Sequence, residues 1–169
     1  MKILVVDDDE LTLSILQLYL AEAGYSDVTI CASPERAVTL IESGYIKYDC
    51  FFFDIIMPFI HGVDLCKKVR AIKDYDETPI IMLTAISGKS DIDEAFAAGA
   101  TDYVTKPFNI TEIGARVRIA EHLISKSKQQ SGDNSSVSLF PNVRQNQTRD
   151  SAQVGKNLGL RSVPVRKHQ

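Results

Sequence analysis

Long hydrophobic runs are absent from this sequence. No apolar stretch among its 169 residues approaches the roughly 20 residues that a transmembrane helix requires. The first residues read directly as a strand and show none of the basic, apolar and small-residue regions of a signal peptide. We therefore expect a cytoplasmic protein without membrane contact.

Cysteine is also scarce, and its spacing argues against the common cysteine-based sites. Cys31, Cys50 and Cys66 form no Cys-x-x-Cys motif, and each lies in or beside an apolar run. Such positions are typical of thiols that pack as small apolar side chains in a reducing compartment. We expect neither metal binding nor redox chemistry from them.

Acidic residues are rare in the C-terminal quarter of the chain. Residues 126–169 contain eight Lys and Arg but two Asp, a net charge of +6, whereas residues 1–125 carry −9. From about residue 126 the sequence is also rich in Ser, Gln, Gly and Asn and loses its periodicity. Such a segment buries too little apolar surface to offset its ordering entropy. We predict an acidic globular domain at 1–125 and a basic, disordered tail at 126–169.

Apolar runs alternate with amphipathic stretches five times along residues 1–125. This alternation is typical of an α/β fold, and right-handed crossovers make a doubly wound, five-stranded parallel sheet with helices on both faces. Ser33 and Asn109 have the spacing of helix N-caps. The predicted strands are residues 1–6, 28–31, 48–53, 78–84 and 102–104, and the predicted helices are residues 11–23, 34–44, 62–72, 89–98 and 110–124.

Polar side chains stand where the predicted strands end. Asp7 and Asp8 follow the first strand, Asp54 the third, and Lys106 the fifth, while Thr84 ends the fourth. Ligands of open parallel sheets bind beyond the carboxyl ends of the strands, so these five side chains should converge. Clustered carboxylates repel one another, and an all-oxygen site suits a hard cation such as Mg2+. The layout predicts a metal-assisted phosphoryl acceptor.

Four motifs in this order resemble a known family. They are residues 5–9 (VVDDD), 54–58 (DIIMP), 83–85 (LTA) and 102–108 (DYVTKPF). With them, residues 1–125 resemble the receiver domain of response regulators, the phosphoacceptor half of two-component signalling. The resemblance implies a flavodoxin-like sheet of order 2-1-3-4-5. It also implies a protein that promotes its own phosphorylation and slow dephosphorylation but is not an enzyme in the usual sense.

The resemblance assigns roles to the residues of the cluster. Asp54 would be the phosphoacceptor, and a carboxylate can form such an aspartyl-phosphate. Asp7, Asp8, Asp54 and the backbone carbonyl of Ile56 would hold Mg2+. Lys106, which precedes a proline in a bond that is cis in the family, would pair with Asp54 and later with the phosphoryl group. Asp9, a third acid in the row, suits the start of a helix better than a metal.

Partners and switching also follow from the resemblance. Thr84 and Tyr103 would be the switch pair that responds to phosphorylation. The phosphoryl group would come from a histidine kinase or a phosphotransfer protein, and a downstream protein would read the switched α4-β5-α5 face. Asp102 and Arg116 on this face resemble residues that form cross-subunit ion pairs in phosphorylation-dependent homodimers.

The sequence departs from the family pattern at three positions. His61 stands where the family usually has an acid, and we expect it to be a loop residue without a catalytic role. Ile56 and Ile86 lie two residues after Asp54 and Thr84, where family members flank the path of water to the phosphoryl group. Aliphatic side chains there should exclude water and slow the loss of the phosphoryl group.

Other functions of such a sheet fit less well. A phosphatase of the haloacid-dehalogenase type needs a second acid two residues after its nucleophile, where this chain has Ile56. A flavin or nucleotide binder cradles phosphate in a Gly- or Ser-rich first loop, but residues 7–10 (DDDE) would repel phosphate. The alternative that stays open is a stand-alone regulator whose basic tail contacts a partner or nucleic acid. Because the tail has no helix-turn-helix pattern and no zinc spacing, we do not expect nucleic acid to be a partner.

Overall fold

The computed structural model describes residues 1–85 and 89–133, and for residues 89 and 130–133 it describes the backbone alone. Strands and helices alternate along this part of the chain. In chain order the elements are β1 (Ile3–Val6), α1 (Glu10–Glu22), β2 (Val28–Cys31), α2 (Pro34–Ser43), β3 (Cys50–Asp54), α3 (Gly62–Arg70), a 3-10 helix (Lys73–Tyr75), β4 (Ile80–Thr84), α4 (Lys89–Ala97), β5 (Asp102–Thr105) and α5 (Ile110–Asp133).

The five strands form one parallel sheet of order β2-β1-β3-β4-β5, which confirms the predicted doubly wound topology. The register aligns the carboxyl ends of the central strands, because Val6 pairs with Phe53 and Asp54 with Leu83. The residues that follow these strands therefore emerge at one edge of the sheet.

The core has one apolar layer on each face of the sheet. Side chains of a strand point alternately to the two faces, and β1 and β3 are buried on both. Phe51 and Phe53 pack towards α2, α3 and α4, and Phe52 packs towards α1 and α5. Each of these fully buried rings contributes about 1.5–3 kcal/mol of burial free energy. The core thus fixes the sheet edge on which the polar residues stand.

Helix caps lie where the sequence predicts them. The Ser33 side chain accepts the Arg36 amide at 3.1 Å, with Pro34 at the first helical position of α2. The Asn109 side chain accepts the Glu112 amide at 3.0 Å at the start of α5. Each cap satisfies a backbone donor that has no partner within its helix, which fixes where that helix begins.

Several element ends differ from the sequence prediction. The strands β1, β3 and β4 begin two residues later than their apolar runs, at the residues where parallel pairing starts. The helix α5 continues eight residues past 125, to Asp133. Polar residues without apolar periodicity can extend a helix that is already formed, since only nucleation is costly. The Ser127 hydroxyl also donates to Glu77 at 2.9 Å.

The prediction of a disordered tail falls largely on residues 134–169, which lie outside the described residues, and the division at 125 stays a prediction.

All three cysteines are buried and free, in agreement with the expectation of thiols packed as small apolar side chains. Within the described ranges, the helices are too short or too polar to cross a membrane.

Candidate functional site

Three carboxylates meet at the carboxyl edge of the sheet. Asp7 and Asp8 follow β1, and Asp54 is the last residue of β3. One oxygen from each lies within 4.8 Å of the others. Asp7 is fully buried and Asp54 is 5 % exposed, whereas Asp8 faces solvent. The predicted convergence is confirmed for these three carboxylates, and Asp8 leaves one side of the cluster open to solvent.

Lys106 lies against two of these carboxylates. Its ammonium is 2.7 Å from Asp7 Oδ2 and 2.7 Å from Asp54 Oδ1. Its amide donates to the carbonyl of Thr84 at 2.7 Å, and its peptide bond to Pro107 is cis, as the resemblance implies. Burial by itself lowers the pKa of Lys106, but the hydrogen bonds to Asp54 and Asp7 outweigh it, so the pKa is raised. The side chain is therefore a permanent cation.

Lys106 does not fully compensate for the unfavourable surroundings of the ionised Asp54 carboxylate. Burial raises the pKa of Asp54, the interactions with Lys106 lower it, and the nearby Asp7 and Asp8 raise it again, with a net upward shift. Among the described residues, three carboxylates thus lie beside one ammonium. The open side at Asp8 can admit a second cation with its own water ligands. An all-oxygen donor set of this kind suits Mg2+, so the residues present fit that ion.

The loop after β3 is folded back against the end of its own strand. The Ile56 amide donates to Asp54 Oδ2 at 3.1 Å, so both oxygens of this carboxylate have a partner. The Gly62 amide donates to the Ile55 carbonyl at 2.9 Å. A Cβ atom at Gly62 would collide with the backbone carbonyl of Asp54, so only glycine fits there. The loop at 55–61 therefore begins and ends against Asp54.

The two predicted switch residues lie near the site in different surroundings. Thr84 is fully buried as the last residue of β4. Tyr103 on β5 is half-buried and meets the Phe96 ring edge-on, with centroids 6.0 Å apart. Ile56 is 47 % exposed, and its carbonyl remains a predicted ligand. Ile86, which should shield the site together with Ile56, lies outside the described residues.

Two polar residues beside the cleft have structural surroundings. The Asp9 side chain caps α1 by accepting the Leu11 amide at 3.0 Å and the Thr12 hydroxyl at 2.7 Å. These bonds lower the pKa of Asp9, with the hydroxyl contributing most. The predicted helix-start role is thus confirmed. His61 is exposed at the N-cap of α3 and makes no side-chain capping bond.

The proposed dimer residues are paired within one chain. Arg116 on α5 donates to Asp102 on β5, at 3.0 Å. Both side chains are partly exposed, so the pair lies at the surface. A cross-subunit pair would have to replace this bond, and the dimer remains a proposal.

Comparison with known proteins identifies the family. The sequence profile described as response regulator receiver domain matches residues 3–118. The chain belongs to the response regulator receiver domain family. This confirms the resemblance inferred from the four motifs. Receiver domains are phosphoacceptors rather than conventional enzymes.

Solved receiver domains have the same fold as this chain, and the match covers nearly the full length of each of them. The chain is 30% identical to the chemotaxis protein CheY4 of Vibrio cholerae, with a TM-score of 0.66, covering 70% of this chain and 97% of that one. It is 31% identical to the receiver domain of the sensor histidine kinase PA1611 of Pseudomonas aeruginosa, with a TM-score of 0.63, covering 73% and 97%. That receiver domain has a magnesium ion coordinated in its active-site cleft.

Curated relatives are longer than this chain. The transcriptional regulatory protein YvrH of Bacillus subtilis is 34% identical over 131 residues, which are 78% of this chain and 53% of YvrH. The chain spans about half the length of the curated relatives it matches. Because such relatives are named transcriptional regulators, the expectation that nucleic acid is not a partner gains no support from them.

Proposed function

We propose that this receiver domain accepts a phosphoryl group on Asp54 from a histidine kinase or a phosphotransfer protein. The observation that carries the proposal is the Asp54 carboxylate, held between the Lys106 ammonium and the Ile56 amide. A carboxylate oxygen attacks phosphorus while the phosphorus–nitrogen bond of a phosphohistidine breaks. The electron pair goes to the imidazole nitrogen, which takes a proton from solvent. The product is an aspartyl-phosphate, with no change of oxidation state.

We propose Asp7, Asp8, Asp54 and the Ile56 carbonyl as the ligands of Mg2+. When bound, Mg2+ would neutralise charge that develops on the transferring phosphoryl group. The chain itself supplies the remaining electrostatics. Lys106 orients one Asp54 oxygen, and its compact ammonium can pair with the phosphoryl oxygens after transfer. Its position is fixed by the second ion pair with the buried Asp7.

Phosphorylation would be read through Thr84 and Tyr103. In this proposal the Thr84 hydroxyl bonds a phosphoryl oxygen and Tyr103 moves inward behind it, away from Phe96. The α4-β5-α5 face changes with them and binds a downstream protein or a second copy through Asp102 and Arg116. We place this activity in the cytoplasm.

The decisive experiment is intact-mass measurement after incubation with phosphoramidate and Mg2+. Wild type should gain one phosphoryl group, and Asp54→Asn should gain none. Asp9→Asn is a matched control, because asparagine still caps α1 and the residue lies outside the carboxylate cluster. Equal labelling of Asp54→Asn would refute the assignment.

A second output is favoured by the names of the relatives, which are transcriptional regulatory proteins. The basic residues of 126–169 permit contact with the phosphate backbone. Mobility-shift assays with random-sequence DNA, with and without phosphoramidate, test this alternative. Binding that weakens with salt and disappears on truncation at 128 would support it.

A further inference from the structure

The helix α4 buries little, and what it buries lies near its C-terminal end. Among residues 90–97, Ala95 is the one buried side chain, and Ala98 follows just beyond the helix. Each alanine contributes one methyl group, worth about 0.8 kcal/mol of burial free energy. By comparison, α1 buries three leucines over its length. The apolar contacts that hold α4 on the core are therefore weak and lie at one end.

The N-terminal half of α4 makes exposed contacts. The side chains of residues 90–94 are partly or largely exposed. Glu94 pairs with Lys67 of α3 at 4.0 Å, and both side chains are more than half exposed. Such exposed pairs add little stability. A helix of nine residues is also too short to be stable by itself in water. This half of α4 can therefore change position at a low cost in free energy.

The C-terminal end of α4 is fixed by Arg70, the last residue of α3. Gly99 ends the helix with a φ of +101°, and its amide donates to the Phe96 carbonyl at 2.9 Å. The Gly99 carbonyl accepts Arg70 Nε at 2.9 Å. A Cβ atom at Gly99 would lie 2.8 Å from Arg70 Cγ, so the arginine side chain passes directly over the glycine. The same guanidinium donates to the carbonyls of Tyr75 and Thr78, which prevents it from following α4 if the helix moves.

The residues after Gly99 connect this fixed end to the sheet. The Thr101 amide donates to the Ile80 carbonyl at 2.8 Å, and the Thr101 hydroxyl accepts the Ile80 amide at 3.1 Å and Arg70 Nη2 at 3.4 Å. Ile80 is the first residue of β4, at the edge of the sheet remote from Asp54. The N-terminal end of α4 instead follows Thr84, at the edge that carries the site. The two ends of α4 thus differ in how firmly they are held and in how close they lie to the phosphoacceptor.

We propose that Arg70 is a positioning residue of the phosphorylation switch. It holds Gly99 in place, so a change that begins at Asp54 and Thr84 moves the N-terminal end of α4 about a fixed C-terminal end. This inference rests on the proposed function of Asp54. Rotation about one fixed end changes the exposed face of α4 near the site and leaves residues 98–101 unchanged. Without the bonds of Arg70, the same change would displace both ends.

The test is amide exchange measured residue by residue by NMR, with and without phosphoramidate and Mg2+. The readout at each amide is the ratio of its exchange rates in the two states, since a general loosening of the fold would speed exchange in both. Intact mass reports how much protein carries a phosphoryl group. Arg70→Lys keeps the charge but cannot form the same fork of bonds. Lys67→Ala is the matched control, because it removes the exposed pair with Glu94 and leaves the bonds of Arg70 in place.

Phosphorylation of wild type should change exchange by at least about tenfold at residues 90–94 and by less than about twofold at residues 98–101, as for a local opening. In Arg70→Lys the change at 98–101 should reach at least about fivefold, whereas Lys67→Ala should keep the wild-type pattern.

An equal change along residues 90–101 of wild type would overturn the proposal without any variant. So would a wild-type pattern in Arg70→Lys, or the same spreading in Lys67→Ala. If intact mass shows no phosphoryl group on wild type, the function of Asp54 is refuted and this inference with it. A phosphorylated wild type with the wrong exchange pattern refutes the role of Arg70 alone.

Discussion

At the scale of single residues, the fold holds three carboxylates close together although their charges repel one another. Asp54 is buried beside two other carboxylates, and Lys106 offsets only part of the cost. Folding therefore disfavours the ionised form of Asp54 in the absence of metal. Reactive groups are often kept in such unfavourable surroundings.

Replacing Asp54 with Asn should stabilise the metal-free domain at neutral pH. Burial and the neighbouring carboxylates raise the pKa of Asp54, so removing its charge while keeping its shape should raise the free energy of unfolding by about 1 kcal/mol. Because burial raises the folded pKa of Asp54, the wild type is relatively most stable below the ordinary value of 3.8 and loses that stability as pH rises through the folded pKa. The advantage of Asn should therefore shrink in acid. Urea unfolding in chelator at several pH values measures it, and a less stable variant at neutral pH would contradict it.

Tyr48→Phe should leave stability unchanged or increase it by about 1 kcal/mol. The ring is buried and packs 5.9 Å from Phe51, but its hydroxyl has no hydrogen-bond partner within the described ranges. Burying a hydroxyl without a partner costs about 1–3 kcal/mol on mutational scales. Thermal unfolding of the two proteins tests this, and a clear loss in the phenylalanine variant would reveal a partner for the hydroxyl.

Ile56→Asn should speed loss of the phosphoryl group from Asp54. The isoleucine is half-exposed two residues after the phosphoacceptor, where it offers no hydrogen bond to an attacking water. An amide can orient such a water, whereas Ile56→Leu keeps the wall aliphatic and serves as the control. The decay of intact phosphoprotein mass measures both, and equal or slower decay of the asparagine variant would disprove the shielding.

At the scale of elements, apolar periodicity predicts which segments exist better than where they end. All five strands and all five helices occur where the sequence predicts them. Their ends depend on pairing partners and on contacts with distant segments, which a local pattern does not contain. The continuation of α5 to Asp133 and the contact of Ser127 with Glu77 are of this kind. The backbone of Phe59, with a φ of +68°, has no sequence signal either, because aromatic residues rarely adopt positive φ.

Arg70 joins several elements by donating to backbone oxygens. Its guanidinium reaches the carbonyls of Gly99 at 2.9 Å, Tyr75 at 2.6 Å and Thr78 at 2.7 Å. Arg70→Ala should lower the free energy of unfolding by about 2–4 kcal/mol, since hydrogen bonds from a charged donor are worth about 1.5–3 kcal/mol each. Arg70→Lys should recover less than half, because one ammonium cannot match this fork. Urea unfolding with amide exchange at Gly99 and Ala100 tests this, and full recovery by lysine would contradict it.

At the scale of the whole molecule, the candidate site is predicted as a set of residues but not as a set of contacts. Strand ends and motifs locate Asp7, Asp8, Asp54, Thr84 and Lys106 at one edge of the sheet. The contact of Lys106 with Asp7 is unexpected, because β3 and β4 lie between β1 and β5. The long, flexible side chain of Lys106 crosses that gap, and the order of the elements along the chain does not predict this contact.

Truncation after residue 128 should leave phosphoryl acceptance intact. All proposed site residues precede it, and they lie at the carboxyl edge of the sheet, whereas Ser127 contacts Glu77 before β4 begins. The labelling rate with phosphoramidate and Mg2+ should stay within about twofold of the full chain, within ordinary scatter for distant sites. A larger loss would show that residues 129–169 act on the site.

The two ion pairs of Lys106 let the domain fold before any metal binds. The ammonium lies 2.7 Å from both buried carboxylates, so the chain carries its own counterion from synthesis onwards. Folding on the ribosome then need not wait for a metal to arrive. If Mg2+ binds as proposed, its removal would stop phosphoryl acceptance while the fold stays intact, and its return would restore acceptance in the same molecules.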